Sequence, residues 1–159
     1  MDDFGEFYGA RRDVVLRAVL VATGSRAAAE DAVAEAFTRA CARWRTVREH
    51  PNPTAWVLRT ALNAHRSWWR RTAREVPGEP PDRASYDAES SGTLSAELRA
   101  LVGRLPRRQR EVLALRVLAD LSADETAQAL GIAPATVHVH LHRALATLRV
   151  VLRPVKEEL

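Results

Sequence analysis

Three histidines at every second position, His138, His140 and His142, are the residues of this 159-residue chain that most invite a chemical reading. Imidazoles at that density can bind a metal or move protons. They sit in PATVHVHLHRALATLR, where Val137, Leu141, Ala144, Leu145, Leu148 and Leu152 recur at steps of three and four, the spacing of one buried helix face. On a helix only His138 and His142 share a side. No Cys, Asp or Glu lies within the run to complete a ligand set, so no metal site is expected. The sequence also holds no paired carboxylates in a plausible pocket, no nucleophile beside a base and no glycine-rich phosphate loop. Neither an enzyme nor a bound cofactor is expected.

Charge and hydrogen bonding are the chemistry that remains. Arg59, Asn63, Arg66 and Arg70 line one stripe of a helical segment at steps of four and three. Such a line makes a track for nucleic-acid backbone and bases, although a merely solvated arginine face gives the same pattern. Trp68 borders the apolar face, where it can pack or stack on a base; packing is the simpler expectation. His65 falls on the apolar face and reads as a core histidine. Arg107, Arg108 and Arg110 crowd the start of another helix, where the helix dipole favours acids instead. That reversal suits phosphate contact. On the histidine helix, Thr136, Val139, His142 and Arg143 point away from the buried face, with His138 and His140 on its flanks. An outward Val139 fits a thymine methyl, and Arg143 fits phosphate or guanine.

The elements that must position these residues are helices. Ser122 caps one, with Glu125 three residues on as in a capping box. Gly131-Ile132-Ala133 turns the chain, since glycine accepts the left-handed conformation, and Pro134 opens the next helix, where its missing N–H costs little. Two short helices joined so tightly suit a helix-turn-helix. Upstream, Phe7, Val14, Val15, Ala18, Val19 and Ala22 form one helical face, interrupted by Gly24, and Ser25 caps a second helix. That helix carries Ala28, Ala32, Val33, Ala36, Phe37, Ala40 and Trp44 inward, with Glu30, Asp31, Glu35 and Arg39 outward, a charged face that solvation alone explains. A loop at 45–53 follows, and Thr54 is expected to cap a helix over 55–74. From 76 to 93 the sequence is rich in proline and acids (Glu79, Asp82, Asp87 and Glu89 against Arg83), without helical period. It reads as a linker that spans roughly 60 Å when extended. Leu94, Leu98, Leu101 and Leu105 begin the second half, broken by Pro106. The expected fold is all-α: two small helical domains, 1–75 and 94–153, joined by a flexible acidic linker at 76–93, the second a four-helix helix-turn-helix unit.

The net charge of +4 gives weak support for a polyanionic partner. Lys156 is the only lysine, so arginine carries the positive charge. Cys41 is the only cysteine, which excludes an internal disulfide; its neighbours Phe37 and Ala40 suggest a small packing residue. The acidic start lacks a signal peptide's apolar segment, and no apolar run is long enough to span a bilayer. A cytoplasmic protein is expected.

The order of these elements resembles the extracytoplasmic-function (ECF) sigma factors of bacterial RNA polymerase. AAAEDAVAEAF (27–37) looks like the family's core-binding helix, PTAWVLRTALNAHRSWWRR (53–71) like its promoter −10 helix, and 101–149 like its −35-binding domain. The resemblance implies that Asp31, Glu35 and Arg39 meet the clamp helices of the polymerase β′ subunit. It implies that the loop 45–53 with Arg59, Asn63, Arg66, Trp68, Arg70 and Arg71 holds the melted −10 strand, where a base is flipped into a pocket near that loop. The helix from Pro134 would read the −35 element through Thr136, His138, Val139, His140, His142 and Arg143, with Arg107, Arg108 and Arg110 on phosphates. The linker would thread towards the active-site and RNA-exit channel. Core RNA polymerase and promoter DNA are the implied partners, with an anti-sigma protein in many relatives.

Four positions depart from the pattern. Ala34 stands where glutamine is frequent and Ser67 where aspartate is common. His138 and His140 lie where lysine or arginine is usual, which weakens phosphate attraction and flattens the salt dependence of binding. The second half also resembles the DNA-binding domain of LuxR-type regulators. A regulator of that kind would bind duplex without polymerase and leave the arginine- and tryptophan-rich helix unused.

Overall fold

A computed structural model describes residues 3–75 and 96–152 of the chain. The linker at 76–93 and Leu94 lie outside the described residues, as does the side chain of Leu152. All regular structure among the described residues is helical: α1 (Phe4–Thr23), α2 (Arg26–Ala42), α3 (Trp44–Val47), α4 (Pro53–Glu75), α5 (Ala96–Arg104), α6 (Arg107–Leu113), α7 (Ala123–Leu130) and α8 (Pro134–Leu152).

Local chemistry sets most of the boundaries. The Asp3 carboxylate accepts from Glu6 N–H at the start of α1, and Gly24, at φ 72°, closes that helix with its N–H on Leu20 O. Ser25 Oγ then accepts from Ala28 N–H to open α2. At α4 the expected cap moves back two residues. Asn52 Oδ1 accepts from Ala55 N–H at 3.2 Å, Pro53 takes the first helical position, and Thr54 is buried. A proline at that position loses nothing by lacking an N–H, so it places the cap on the residue before it. Leu105 and Pro106 separate α5 from α6 as expected.

One turn after α6 is not an α-helix. Residues Ala114–Leu118 form a π-helical turn, with Ala119 N–H on Ala114 O and Leu121 N–H on Leu115 O. The chain leaves it through Asp120 at φ 54°, a conformation that aspartate tolerates better than most side chains. Arg116 steadies the exit by donating to Leu121 O at 2.6 Å.

In the first half α2 packs against α1 and α4. Its buried stripe is mostly small, Ala29, Ala32, Ala36 and Ala40, which lets Val15 and Val19 of α1 and Val57, Leu58 and Ala61 of α4 fill the space between. Phe4, Phe7, Phe37 and Trp44 meet edge-on or tilted at one end, with Phe7 and Trp44 5.0 Å apart between ring centres. Cys41 departs from expectation: it is exposed, because Ala40 takes the inward position. In the second half α8 packs on α6 and α7 around Val112, Leu115, Leu121, Val137 and Ala144. The two halves touch. α1 lies against α6 and the π turn, and α4 lies against α7, so their buried residues form one continuous core.

Candidate nucleic-acid interface

The helix-turn-helix is built as its residues dictate. Ser122 Oγ accepts from Glu125 N–H at 3.1 Å and Glu125 Oε2 accepts from Ser122 N–H at 2.8 Å, a complete capping box. Gly131 closes α7 at φ 67°. Ala133 O then receives the N–H groups of Thr136 and Val137 and starts α8. Val137, Ala144 and Leu148 are buried beneath α8, with Leu141 and Leu145 partly so. His138, Val139, His142 and Arg143 are exposed together, Val139 at 45%. Thr136 and His140 are half-buried, and His140 Nδ1 is enclosed without a hydrogen-bond partner. The outward face is thus narrower than the sequence suggests. Among the described residues no group of three or more His, Cys, Asp or Glu is arranged to hold a metal ion.

On α4 the residues Arg59, Asn63, Arg70 and Arg71 are exposed. Trp68 is 50% exposed, contrary to the packing expected of it. It forms a T-shaped pair with Trp69, ring centres 5.4 Å apart at 78°. Trp69 is the anchor, donating its indole N–H to His65 Nε2 at 2.8 Å. Burial pushes the His65 pKa below its ordinary 6.5, with Arg107 and Arg66 acting the same way and Glu111 against them. Below about pH 6.5 the unfolded chain therefore binds a proton that the folded chain resists, and stability must fall as pH falls. Denaturant unfolding at pH 7 and pH 5.5 should show this loss. His65→Gln, which keeps an acceptor for Trp69 but does not titrate, should reduce it; an unaltered pH difference would assign the loss to other groups.

Arg66 leaves the stripe that its spacing predicts. It is half-buried and reaches the second half, donating to Glu111 Oε2 at 3.3 Å and Oε1 at 3.4 Å. Arg108 donates to the same carboxylate at 3.0 Å and to Leu130 O at 3.3 Å, and Arg107 stands 3.8 Å from it. This is how α6 tolerates arginines in its first turn: Glu111, one turn on, pairs with both Arg107 and Arg108. Arg110 is not presented to a ligand at all. It is 4% exposed and donates to Leu105 O at 2.7 Å, closing the α5–α6 corner, so its expected phosphate contact does not fit this structure. A second link joins the halves where Asn52 Nδ2 donates to Glu125 Oε1 at 3.0 Å. The Ser122 backbone N–H, and after it the Asn52 amide, hold the Glu125 carboxyl below the usual carboxylate range.

The third candidate surface is on α2. Asp31, Glu35 and Arg39 are exposed with Ala34 among them, and Glu35 and Arg39 form an i,i+4 ion pair. On α4, Ser67 is exposed beside Trp68.

Comparison with known proteins finds two family matches in sequence order. The family described as Sigma-70 region 2 matches residues 7–75, and the family described as Sigma-70, region 4 matches residues 95–148. The RNA polymerase sigma-E factor of Streptomyces coelicolor is 35% identical over 149 residues, covering 92% of this chain and 84% of that one. The ECF RNA polymerase sigma factor SigD of Mycobacterium tuberculosis is 41% identical over 93 residues, 55% of this chain and 43% of that one. Among solved structures, the sigma factor RpoE of Bartonella quintana, crystallised with the anti-sigma factor NepR, superposes with a TM-score of 0.73. It is 24% identical and covers 95% of this chain and 99% of that one, a likeness of fold.

Proposed function

The chain belongs to the sigma-70 family of RNA polymerase sigma factors, as a member of the extracytoplasmic-function type, and from that premise we propose how its surfaces divide the work of promoter recognition. It is a transcription initiation factor that directs core RNA polymerase to promoters through their −10 and −35 elements. In our assignment the unit at 94–153 reads the −35 duplex with the outward face of α8, chiefly His138, Val139, His142 and Arg143, while Arg107 and Arg108 approach phosphates. The unit at 1–75 holds the opened −10 strand along α4 through Arg59, Asn63, Trp68, Arg70 and Arg71, joined by Arg66 once it is free of Glu111. Asp31, Glu35 and Arg39 on α2 meet the polymerase clamp. The 76–93 segment tethers the two units. Initiation asks for no chemistry from the sigma subunit itself, and its place of work is the cytoplasm, where polymerase is. An anti-sigma protein is part of the proposal.

The observation that carries this reading is the pairing, in one chain, of an exposed arginine–tryptophan face on α4 with an outward-facing recognition helix on α8. The LuxR-type alternative has no support, since it leaves residues 7–75, matched by Sigma-70 region 2, without a role. Transcription in vitro with purified core polymerase and genomic promoter fragments tests the reading; a protein that neither binds core nor confers specific starts would end it. Arg143→Ala should weaken −35 duplex binding by about 1–3 kcal/mol, the worth of a good base contact. An unchanged Kd would leave Arg143 a solvated surface residue. Pull-down from the native host with a tagged chain addresses the anti-sigma partner.

A further inference from the structure

We propose that His50 is a positioning residue for the −10 strand: its imidazole clamps the turn before α4 and so fixes where Arg45 and Arg48 are presented to the phosphates of that strand. The inference rests on the promoter-binding reading above and deepens it. Arg45, Arg48, Glu49 and Pro51 are exposed, while His50 between them is half-buried. The His50 backbone N–H donates to Val47 O at 3.0 Å, and Val47, the last residue of α3, is 1% exposed. The ring reaches the other way, where Nδ1 accepts from Asn52 N–H at 3.0 Å. Histidine thus does at this corner what an asparagine side chain does in an Asx turn, bonding a backbone N–H two residues on.

The clamp acts on the residue that starts α4. Asn52 Oδ1 caps that helix through Ala55 N–H, and Asn52 O accepts from Trp56 N–H at 3.2 Å. The N–H groups of Arg48, Glu49 and His50 all return to α3, on Trp44 O, Thr46 O and Val47 O, and Pro51 has none. The forward hold on α4 is therefore left to the ring. Nδ1 also stands 2.9 Å from Asn52 O. A bare Nδ1 accepts the Asn52 N–H and a protonated one donates to the Asn52 carbonyl, so either form holds the same residue. What the clamp presents is a pair of cations. Arg48 continues the helical conformation of α3, at φ −62° and ψ −25°, so Arg45 and Arg48, three apart, stand on one side of that turn. Exposed guanidiniums in such a pair suit phosphate oxygens, and phosphate contacts set position and register without reading sequence.

Two measurements test this in the full chain. Hydrogen exchange of the Asn52 amide, followed by NMR, should quicken about two- to tenfold in His50→Ala, the scale of one neutral hydrogen bond. It should slow again in His50→Asn, whose Oδ1 takes the place of Nδ1. His50→Gln carries its amide one carbon too far and should behave as alanine does. With core polymerase, His50→Ala and His50→Gln should bind pre-melted −10 template about two- to tenfold more weakly, the same scale, while His50→Asn stays near the parent and −35 duplex binding is unchanged. Arg48→Ala should weaken the same complex and lower its log–log salt slope by roughly 0.7, the worth of one phosphate on a single strand. If His50 acts through the arginines, His50→Ala adds little once Arg45→Ala and Arg48→Ala are in place. Full additivity, or an asparagine variant no better than the glutamine one, overturns the positioning role. If the alanine variant does not fold, the asparagine and glutamine variants decide. Unchanged exchange in His50→Ala overturns the clamp whatever the promoter assay gives; a clamp seen by exchange in a chain that confers no specific starts would sink the promoter reading while the clamp stands.

Discussion

Replacing Trp68 by alanine should weaken the hold on an opened promoter strand by about 1–3 kcal/mol, roughly five- to 150-fold, the measured range for base stacking on an aromatic ring. The ring is half exposed, and among the described residues its aromatic contact is the T-shaped one with Trp69, so little folding energy is tied to it. The holoenzyme should therefore bind pre-melted template poorly while the isolated chain unfolds at an unchanged denaturant midpoint. Binding of the −35 duplex should not change, since that face lies on α8. Equal affinity of Trp68→Ala for pre-melted template would remove the stacking role.

Leu58→Ala acts on the opposite side of the same helix and should cost about 2–5 kcal/mol of stability, the range for deleting a fully buried leucine side chain. Leu58 has no exposed surface, and α2, which packs on α4, buries mainly alanines, whose methyl groups cannot reach into the space. The measurement is the shift in denaturant midpoint at constant slope. A cost below about 1 kcal/mol would mean that α4 sinks into the space. Such a shift of α4 would also move the Trp68 face, so activity on pre-melted template gives a second readout of the same substitution.

What could be read in the sequence was set by chemistry within a few residues. Ser122 with Glu125, Gly131 and Ser25 each act on backbone groups one turn away, so their types and spacing suffice. Asn52 was within reach of the same reasoning: Pro53 in the first helical position implies a cap at 52, and Thr54 distracts because it too is a capping type. Arg110 and Arg66 are a different matter. A guanidinium can serve phosphate, carbonyl or carboxylate equally well, and only the tertiary position of Leu105 O and Glu111 decides among them. Glu111 carried no local signal beyond being an acid one turn after three arginines. Trp68 and Cys41 lay at the borders of apolar stripes, where a rotation of some tens of degrees decides burial. The π turn at Ala114–Leu118 has no sequence mark that separates it from the apolar helix around it.

The corner at Gly131 has a consequence for how such a protein can change. Its backbone is committed before any ligand arrives: the capping box fixes one end of α7, the N–H groups of Gly131 and Ile132 both reach Ala127 O at the other, and Ala133 O starts α8. Conformational entropy at this corner is therefore lost in folding and does not burden association. Delivery of the reading helix is separated from its content. Under the assignment proposed above, substitutions at His138, Val139, His142 and Arg143 would alter which base sequence is preferred while the angle of approach stays fixed, so promoter preference would drift by surface changes alone without endangering the fold.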